Sequence, residues 1–185
     1  MKDRMVWIDL EMTGLETGRH VTIEIATIVT DKDLNVIAEG PCLVIHATEE
    51  QLGEMDDWCV EHHGKSGLTK RVKESSVSME DAEAQTLAFL KKHVKAHKAP
   101  LCGNSIWQDR RFLEQDMPKV DAFLHYRMVD VSSFKEVVKR WYPSSYLPPM
   151  KSNCHRALDD IKESIAELQH YRDKLLVKTP GKAAK

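Results

Sequence analysis

The chain has 185 residues, 42% of them hydrophobic and 30% charged, which is typical of one globular domain with a substantial core. Its 27 Lys and Arg residues nearly balance 29 Asp and Glu residues, so the formal net charge is −2. This balance argues against a protein that tracks long nucleic acid with a basic stripe. Basic residues form only short clusters, at residues 70–73 and 91–98.

Three strands are predicted first along the chain. MVWIDLEMT (residues 5–13) alternates apolar and polar residues, so Asp9 and Glu11 project from the same face of the first strand. The β-branched run at 20–31 predicts a second strand, and 34–45 a third that is broken near Gly40-Pro41. Turn-like connections between them predict an antiparallel meander.

Helices then alternate with short strands. Residues 49–62 predict one helix, and Ser78 with Asp81 resembles a capping box that begins a second. A short strand follows Pro100, and residues 106–115 predict a third helix. Alternation of this kind predicts an α/β fold with a mixed sheet, antiparallel in its first three strands and flanked by helices.

The carboxyl-terminal part repeats this pattern. Residues 127–131 predict a strand, and Ser132 or Ser133 is expected to cap the helix that follows. After a proline-rich loop at 142–154, residues 155–176 predict the last helix. We expect one domain over residues 1–177 and a disordered tail at 178–185. Trp7 and Trp107 are interpreted as core residues.

Soluble, cytoplasmic behaviour is expected from three features. The four cysteines are widely spaced and form no CxxC pair, which favours reduced thiols. The first residues do not form a signal or transit peptide. No run of apolar residues approaches the roughly 20 that a membrane helix requires.

Acidic residues far apart in the sequence predict a metal site. Asp9 and Glu11 lie on the first strand, Asp109 at the start of a helix, and Asp159 and Asp160 near the start of the last helix. Strand ends and helix starts meet in the clefts of α/β folds. The alternative for Asp9 and Glu11 is a strand end that reaches solvent, where acidic residues are ordinary.

Phosphodiester hydrolysis is the chemistry that such a site suits. Carboxylate oxygens are preferred by Mg²⁺ and Mn²⁺, and two such ions activate a water and stabilise the leaving oxygen. His155 is a candidate general base. Asp159 shares its helical face, whereas Asp160 meets it only if His155 precedes the regular helix, so both acids remain candidates.

Three motifs in order carry a resemblance to a known family. DLE on the first strand, GNSIWQDRRFL and HRALDD resemble the exonuclease motifs of the DEDDh 3′→5′ exonuclease family. The flanking WIDLEMTGL, MDDWC and HYRMVDVSS are similar to the branch that degrades very short RNA. The resemblance covers about residues 5–177. It implies a ribonuclease H-like fold and a homodimer that removes 5′-mononucleotides from oligonucleotides, down to dinucleotides.

The resemblance also implies residue roles. Asp9, Glu11, Asp109 and Asp160 would bind two divalent metal ions, with His155 as general base. Leu15 would wedge between the bases of the substrate. Residues expected to contact the substrate from the same protomer are Trp58, His63 (or its neighbour His62), Ser105, Gln108 and Ser132. Tyr126 and Arg127 would be supplied by the other protomer and, with Ser132, cap the 5′-phosphate end.

Each of these interpretations has a structural alternative. Trp58 could instead be a core anchor of its helix, Leu15 a cover for the sheet edge, and Tyr126 a structural strand residue. Paired histidines in a loop usually face solvent. Two other functions also compete, namely the same hydrolysis of longer nucleic acids and a catalytically silent nucleic-acid-binding module on this scaffold.

Overall fold

Five strands form one mixed sheet in the structure, a computed structural model that describes residues 3–149 and 156–176. The first three strands are antiparallel, whereas the fourth and fifth run parallel to the first. The spatial order is β3-β2-β1-β4-β5, in which the strands are β1 (Met5–Met12), β2 (Thr22–Thr30), β3 (Val36–Val44), β4 (Pro100–Gly103) and β5 (His125–Asp130). The predicted mixed five-stranded α/β sheet is confirmed.

Strand β3 carries the irregularity predicted at Gly40-Pro41. Ala26 of β2 pairs with Cys42, but Ile28 pairs with Glu39, so two residues of β3 face one residue of β2. Proline lacks the N–H that a ladder needs and is tolerated because β3 lies at the edge of the sheet. This bulge bends the edge strand without disturbing the central strand β1.

Helices cover both faces of the sheet. Those on one face bury a core that includes Ile8, Leu90 and Phe112, and those on the other bury Trp7 and Ile165. In the described part of the chain, no helix has the length and apolar character needed to cross a membrane. The helices are α1 (Glu49–Gly53), α2 (Asp57–Lys65), α3 (Leu68–Glu74), α4 (Met79–His93), α5 (Ile106–Asp116), α6 (Pro118–Phe123), α7 (Val131–Trp141) and α8 (Ala157–Leu175).

The single helix predicted over residues 49–62 is wrong, because the chain forms α1 and α2 there. Asp56 begins α2, since its side chain accepts a hydrogen bond from the Cys59 amide at 2.8 Å. The predicted start at Ser78 is confirmed, with its hydroxyl accepting from the Asp81 amide. Helices α3 and α6 are additional elements that the sequence pattern does not predict.

The start of α7 also differs from expectation. Asp130, rather than Ser132 or Ser133, is the N-cap of α7, because its carboxylate accepts a hydrogen bond from the Ser132 amide at 2.9 Å. Helix α8 begins at Ala157. The predicted helix start at His155, the end of the proline-rich loop from residue 150 and the proposed tail at 178–185 lie outside the described residues.

The two tryptophans that were expected in the core have different environments. Trp7 is fully buried, and its Nε1 donates to Thr30 Oγ1 at 3.0 Å. Trp107 is 52% exposed, so its assignment to the core is wrong. Helix α5 turns Ile106 and Phe112 inward, which leaves Trp107 on the outer side near the guanidinium of Arg111.

Candidate active site

Three acidic side chains meet where β1 approaches α8. One carboxylate oxygen from each of Asp9, Glu11 and Asp160 lies within 4.8 Å of the other two. Asp9 and Glu11 share the sheet face of Trp7, which α8 covers, so the period of the strand aims both at Asp160. Asp159 is exposed and is not part of this group. The geometry therefore brings Asp160, and not Asp159, to the strand acids.

Asp109 approaches the same strand end from α5. Its Oδ1 accepts a hydrogen bond from the Leu10 amide at 3.0 Å, and the residue is only 7% exposed. Strand β4 pairs with β1 only at Val6 and Trp7, so the Leu10 amide has no partner strand on that side and Asp109 satisfies it. Burial raises the pKa of Asp109 to about 7. Three of the four predicted metal ligands, Asp9, Glu11 and Asp160, thus lie together. The fourth, Asp109, is hydrogen-bonded to the backbone amide of Leu10, which lies between Asp9 and Glu11.

Electrostatic repulsion disfavours the state in which all four of these carboxylates are ionised at once. Burial, together with the charges of Asp160, Glu24 and Asp109, raises the pKa of Glu11 to about 8. The Glu11 side chain is 14% exposed, so water screens it little. A divalent cation relieves this repulsion, and carboxylate oxygens are the donors that hard cations prefer. The donor set therefore fits divalent metal ions.

His63 packs against the acid cluster from α2. Its Nε2 lies 2.9 Å from the Met12 carbonyl oxygen, which requires Nε2 to carry the proton and donate it. Nδ1 then faces Glu11, with 3.8 Å to Oε2. The predicted general base, His155, lies outside the described residues. His63 is therefore the histidine that the described structure brings to the acids, although it is only 1% exposed.

A pocket of about 370 Å³ opens beside Glu11. Leu15, which is 66% exposed, and Trp58, which is 54% exposed, lie at its rim. The Trp58 and His62 rings stack with centroids 3.9 Å apart, because the two residues are one helical turn apart on α2. His63 lines the pocket from below. The core alternative for Trp58 is excluded by its exposure, and an exposed aromatic pair is a surface on which bases stack.

Side chains of α5 hold the loop that carries Leu15, and this role was missed in the sequence. The Gln108 amide donates to the Leu15 carbonyl at 2.8 Å, and Arg111 donates to Thr17 at 2.9 Å and to Gln108 Oε1 at 3.1 Å. Gln108 and Arg111 are more than 90 residues from Leu15 and Thr17, so no local pattern reveals these contacts with the loop. One helix thereby connects Asp109 with the position of Leu15.

Ser105 and Ser132 lie at the carboxyl ends of β4 and β5. The Ser105 amide donates to Asp130 Oδ1 at 3.0 Å and to Ser132 Oγ at 2.9 Å, and Ser132 donates to Asn104 Oδ1. Ser105 adopts a left-handed φ of +50°, a conformation that non-glycine residues hold only when the surroundings support it. The two predicted substrate residues are therefore neighbours near Asp109.

Tyr126 and Arg127 lie at the other end of β5. The Tyr126 side chain is 71% exposed, and the Arg127 guanidinium lies 5.3 Å from its ring centroid. Four residues separate Tyr126 from Asp130, which corresponds to roughly 13 Å along a strand. These two residues are therefore at the far end of the strand from the acids of their own chain.

The fold is similar to that of solved exonucleases. The zinc-bound form of an E. coli ExoI–ssDNA complex matches with a TM-score of 0.75 and 14% identity, over 95% of this chain and 41% of that chain. Another exonuclease I structure matches with a TM-score of 0.73 and 15% identity, over 94% and 42%. The chain thus spans about two fifths of those proteins, and at this identity the likeness shows the shared fold, which is the ribonuclease H-like fold expected above.

Sequence comparisons identify the family. The family model described as Exonuclease matches residues 6–168. Oligoribonuclease from Pseudomonas aeruginosa is 59% identical over 169 residues, which are 91% of this chain and 94% of that protein. Oligoribonuclease from Vibrio cholerae is 56% identical over 168 residues, or 91% and 93%. The chain therefore belongs to the exonuclease family and, within it, to the oligoribonucleases.

Proposed function

We propose that this 3′→5′ exoribonuclease hydrolyses very short RNA oligonucleotides, down to dinucleotides, and releases 5′-mononucleotides. The supporting observation is that the acid cluster borders a pocket of only about 370 Å³, with Leu15 at its rim. This volume is near the lower end of the range for small-molecule sites. A long strand would need a groove that continues past the acids, and the basic stripe that accompanies such grooves is missing from the sequence.

Two divalent ions, Mg²⁺ or Mn²⁺, are the proposed cofactors. Asp9, Glu11 and Asp160 would hold them together with Asp109. When bound, such ions lower the pKa of an attacking water and stabilise the leaving oxygen. The raised pKa of Glu11 supports this assignment, because a crowded, buried carboxylate ionises more readily when a cation compensates its charge.

Side chains of the protein would accept the proton of the attacking water and position the substrate. His155, five residues before Asp160 in the sequence, is the proposed general base that takes a proton from the attacking water. Trp58 would stack on a base and Leu15 would separate the two bases. Ser105 and Gln108 would lie beside the 3′ nucleotide, with Gln108 acting mainly by holding the Leu15 loop.

A length series of labelled RNAs tests this proposal. With Mn²⁺ present, kcat/KM should be highest for a dinucleotide and fall as the substrate lengthens to a 20-mer, because Leu15 at the pocket rim would limit the length of the bound substrate. A strong preference for the 20-mer would instead favour an exonuclease for long substrates. Metal-independent binding of the dinucleotide without turnover would indicate a silent binding module and contradict the proposal.

Leu15→Ala sharpens this test. The substitution removes the exposed side chain at the pocket rim but leaves the backbone carbonyl that Gln108 holds. We expect the dinucleotide to lose about tenfold in kcat/KM, equivalent to about 1.4 kcal/mol of stacking and packing. Cleavage of the 20-mer should stay the same or increase, because the side chain that would limit substrate length is removed. Val60→Ala, at an exposed position on α2 outside the pocket lining, is the control.

We further propose a homodimer in which Tyr126 and Arg127 reach the active site of the partner. Two observations support it. Both residues are far from the acids of their own chain, and β5 is an edge strand of the described sheet with exposed Tyr126 and Met128 side chains. Uncovered edges and exposed apolar side chains are features of interaction surfaces.

A mixing experiment tests the dimer and the shared site together. Tyr126→Ala and Asp160→Asn variants should each be nearly inactive alone. After subunit exchange, mixed dimers carry one intact site, so about a quarter of the wild-type activity should return. No recovery despite subunit exchange, or a monomeric mass by light scattering, would contradict the shared site.

We also propose a single domain and a cytoplasmic location for this protein. Residues 1–177 are assigned to one exonuclease domain, which the family match over residues 6–168 supports. A cytoplasmic location is supported by free thiols at Cys42, Cys59 and Cys102, the cysteines among the described residues. Limited proteolysis that cut efficiently within residues 6–168, or export of a tagged protein, would contradict these assignments.

A further inference from the structure

Glu24 is a buried carboxylate that the proposed mechanism does not use. It is 1% exposed and lies on β2 directly opposite Glu11 of β1. A buried charge is costly unless it is paired, and the charge of Glu24 also opposes that of Glu11. Because the charge of Glu24 adds to the electrostatic repulsion in the acid cluster, we expect a structural role that compensates for it.

Two partners from different helices converge on the Glu24 carboxylate. Oε1 accepts a hydrogen bond from Arg71 Nη1 of α3 at 2.9 Å. Oε2 accepts one from the backbone amide of Ala157 at 3.3 Å. Ala157 is the first residue of α8, the helix that carries Asp160. Glu24 therefore connects β2, on which it lies opposite Glu11, to the start of α8.

Among the described residues, helix α8 has no local side-chain cap. Arg156 occupies the N-cap position and makes no side-chain hydrogen bond to the first turn. The first amides of a helix have no partners within the helix, and a negative charge at this end is favoured by the helix dipole. Glu24 supplies both an acceptor and a charge from a position 133 residues away in the sequence.

We propose that Glu24 is a positioning residue for the metal-binding acids. By fixing the amide of Ala157, it sets the start of α8 and so keeps Asp160, three residues further on, within 4.8 Å of Asp9 and Glu11. This inference rests on the proposed function, in which the acids hold divalent cations. Partners that orient metal ligands in this way typically contribute 10- to 100-fold in metal affinity or activity.

The chain contains a matched control for Glu24. Glu83 of α4 is 5% exposed and also caps a helix that lacks a local side-chain cap. Its Oε1 accepts from the Lys119 amide of α6 at 2.6 Å, and its Oε2 lies 3.2 Å from Lys119 Nζ. Glu83→Gln therefore removes a buried, helix-capping charge in the same way, but from a helix that carries none of the acids.

Mn²⁺ titration of the full-length protein, followed by calorimetry, is the primary measurement. We expect Glu24→Gln to raise the Mn²⁺ dissociation constant about tenfold, and to lower kcat for a dinucleotide while KM stays near its wild-type value. Glu83→Gln should change neither. Thermal unfolding in EDTA checks that both variants fold, and both should lose similar stability because each loses a buried carboxylate charge that caps a helix.

Arg71→Met distinguishes a positioning role of Glu24 from a simple effect of net charge on Mn²⁺ binding. Removing a cation near the site should tighten Mn²⁺ binding if only the net charge matters. If Glu24 acts by holding α8, loss of Arg71 releases the carboxylate from one side, and Mn²⁺ binding should weaken. Tighter binding in Arg71→Met, wild-type binding in Glu24→Gln, or equal weakening in Glu83→Gln would each overturn the positioning role.

Asp160→Asn in the same titration separates this inference from the proposed function. If the wild type and Asp160→Asn bind Mn²⁺ equally, the metal assignment itself fails. If Asp160→Asn weakens binding and Glu24→Gln does not, the metal assignment stands and only the positioning role of Glu24 is wrong.

Discussion

Asp160→Asn is expected to reduce the hydrolysis of a dinucleotide by about a thousandfold or more. The substitution keeps the shape of the side chain but removes a charged oxygen that lies within 4.8 Å of the oxygens of Asp9 and Glu11. Bound metal ions supply several kcal/mol of transition-state stabilisation, and about 4 kcal/mol corresponds to a thousandfold in rate. Single-turnover assays at saturating Mn²⁺ would measure the loss.

Asp159→Asn is the matched control for this prediction. Asp159 is the adjacent residue on α8 and is exposed, and it is absent from the acid group. Its amide variant should retain wild-type activity within about threefold, an effect of under 1 kcal/mol. Equal losses in both variants would show that the start of α8, and not the ligand at position 160, is what the substitution disturbs.

Stability measurements distinguish a lost ligand from a misfolded protein. The charge of Asp160 is among the causes that raise the pKa of Glu11. Asp160→Asn should therefore unfold in EDTA at the same temperature as the wild type or at a higher one. A lower unfolding temperature would mean that the activity loss reports on folding, and the ligand role of Asp160 would lose its support.

The strand acids could be predicted because their arrangement depends on local geometry. A strand places every second residue on one face, so the sequence alone aligns Asp9 with Glu11. The choice between Asp159 and Asp160 could not be made from the residues, because it depends on where α8 begins. That start is set by Glu24 on β2, through a hydrogen bond to Ala157 that spans 133 residues.

Three local features that differ from the sequence prediction have a signal in the sequence. Asp56 is a good N-cap residue, and it divides the predicted helix at 49–62 into two. Asp130 similarly begins α7 in place of the two serines. The inward face of α5 is defined by Asp109 and Phe112, and this excludes Trp107 from the core. In each case a polar residue with a structural role decided the local geometry.

The support of the Leu15 loop had no such signal. Gln108 and Arg111 reach it from α5 through side-chain hydrogen bonds that depend on the packed positions of α5 and the loop. Sequence periodicity reports burial and not the partner of a polar atom. The sequence therefore indicates a substrate contact for Gln108 only through the family resemblance and gives no partner for Arg111. In the structure the Gln108 amide also holds the backbone of Leu15.

Without metal, the protein should lose stability as the pH rises, and Glu11 should account for much of the loss. The pKa of Glu11 is raised from 4.5 to about 8 in the folded protein. Between these values the folded state binds more protons than the unfolded state, so the free energy of unfolding falls with increasing pH and levels off above about 8. The expected decrease is on the order of 5 kcal/mol, or roughly 10–20 °C in unfolding temperature.

Glu11→Gln provides the direct comparison. Thermal unfolding in EDTA between pH 5 and 9 should show a much flatter pH dependence in this variant, and above about pH 8 the variant should be the more stable protein. Every other titrating group is common to both proteins, so the difference between the curves isolates Glu11. Glu114→Gln, at an exposed position on α5, should follow the wild-type curve. Parallel curves for the wild type and Glu11→Gln would contradict the raised pKa.

Mn²⁺ should reverse the pH dependence of the wild type. A divalent cation binds the ionised form of Glu11, so its affinity should increase with pH up to about 8, and the stabilisation should follow RT ln(1 + [Mn²⁺]/Kd). Glu11→Gln should show little stabilisation at any pH, since it lacks the charge that the cation compensates. The crowding of buried carboxylates around Glu11 then explains two properties. It lowers the free energy of unfolding without metal, and it increases the affinity for the cation that relieves the repulsion.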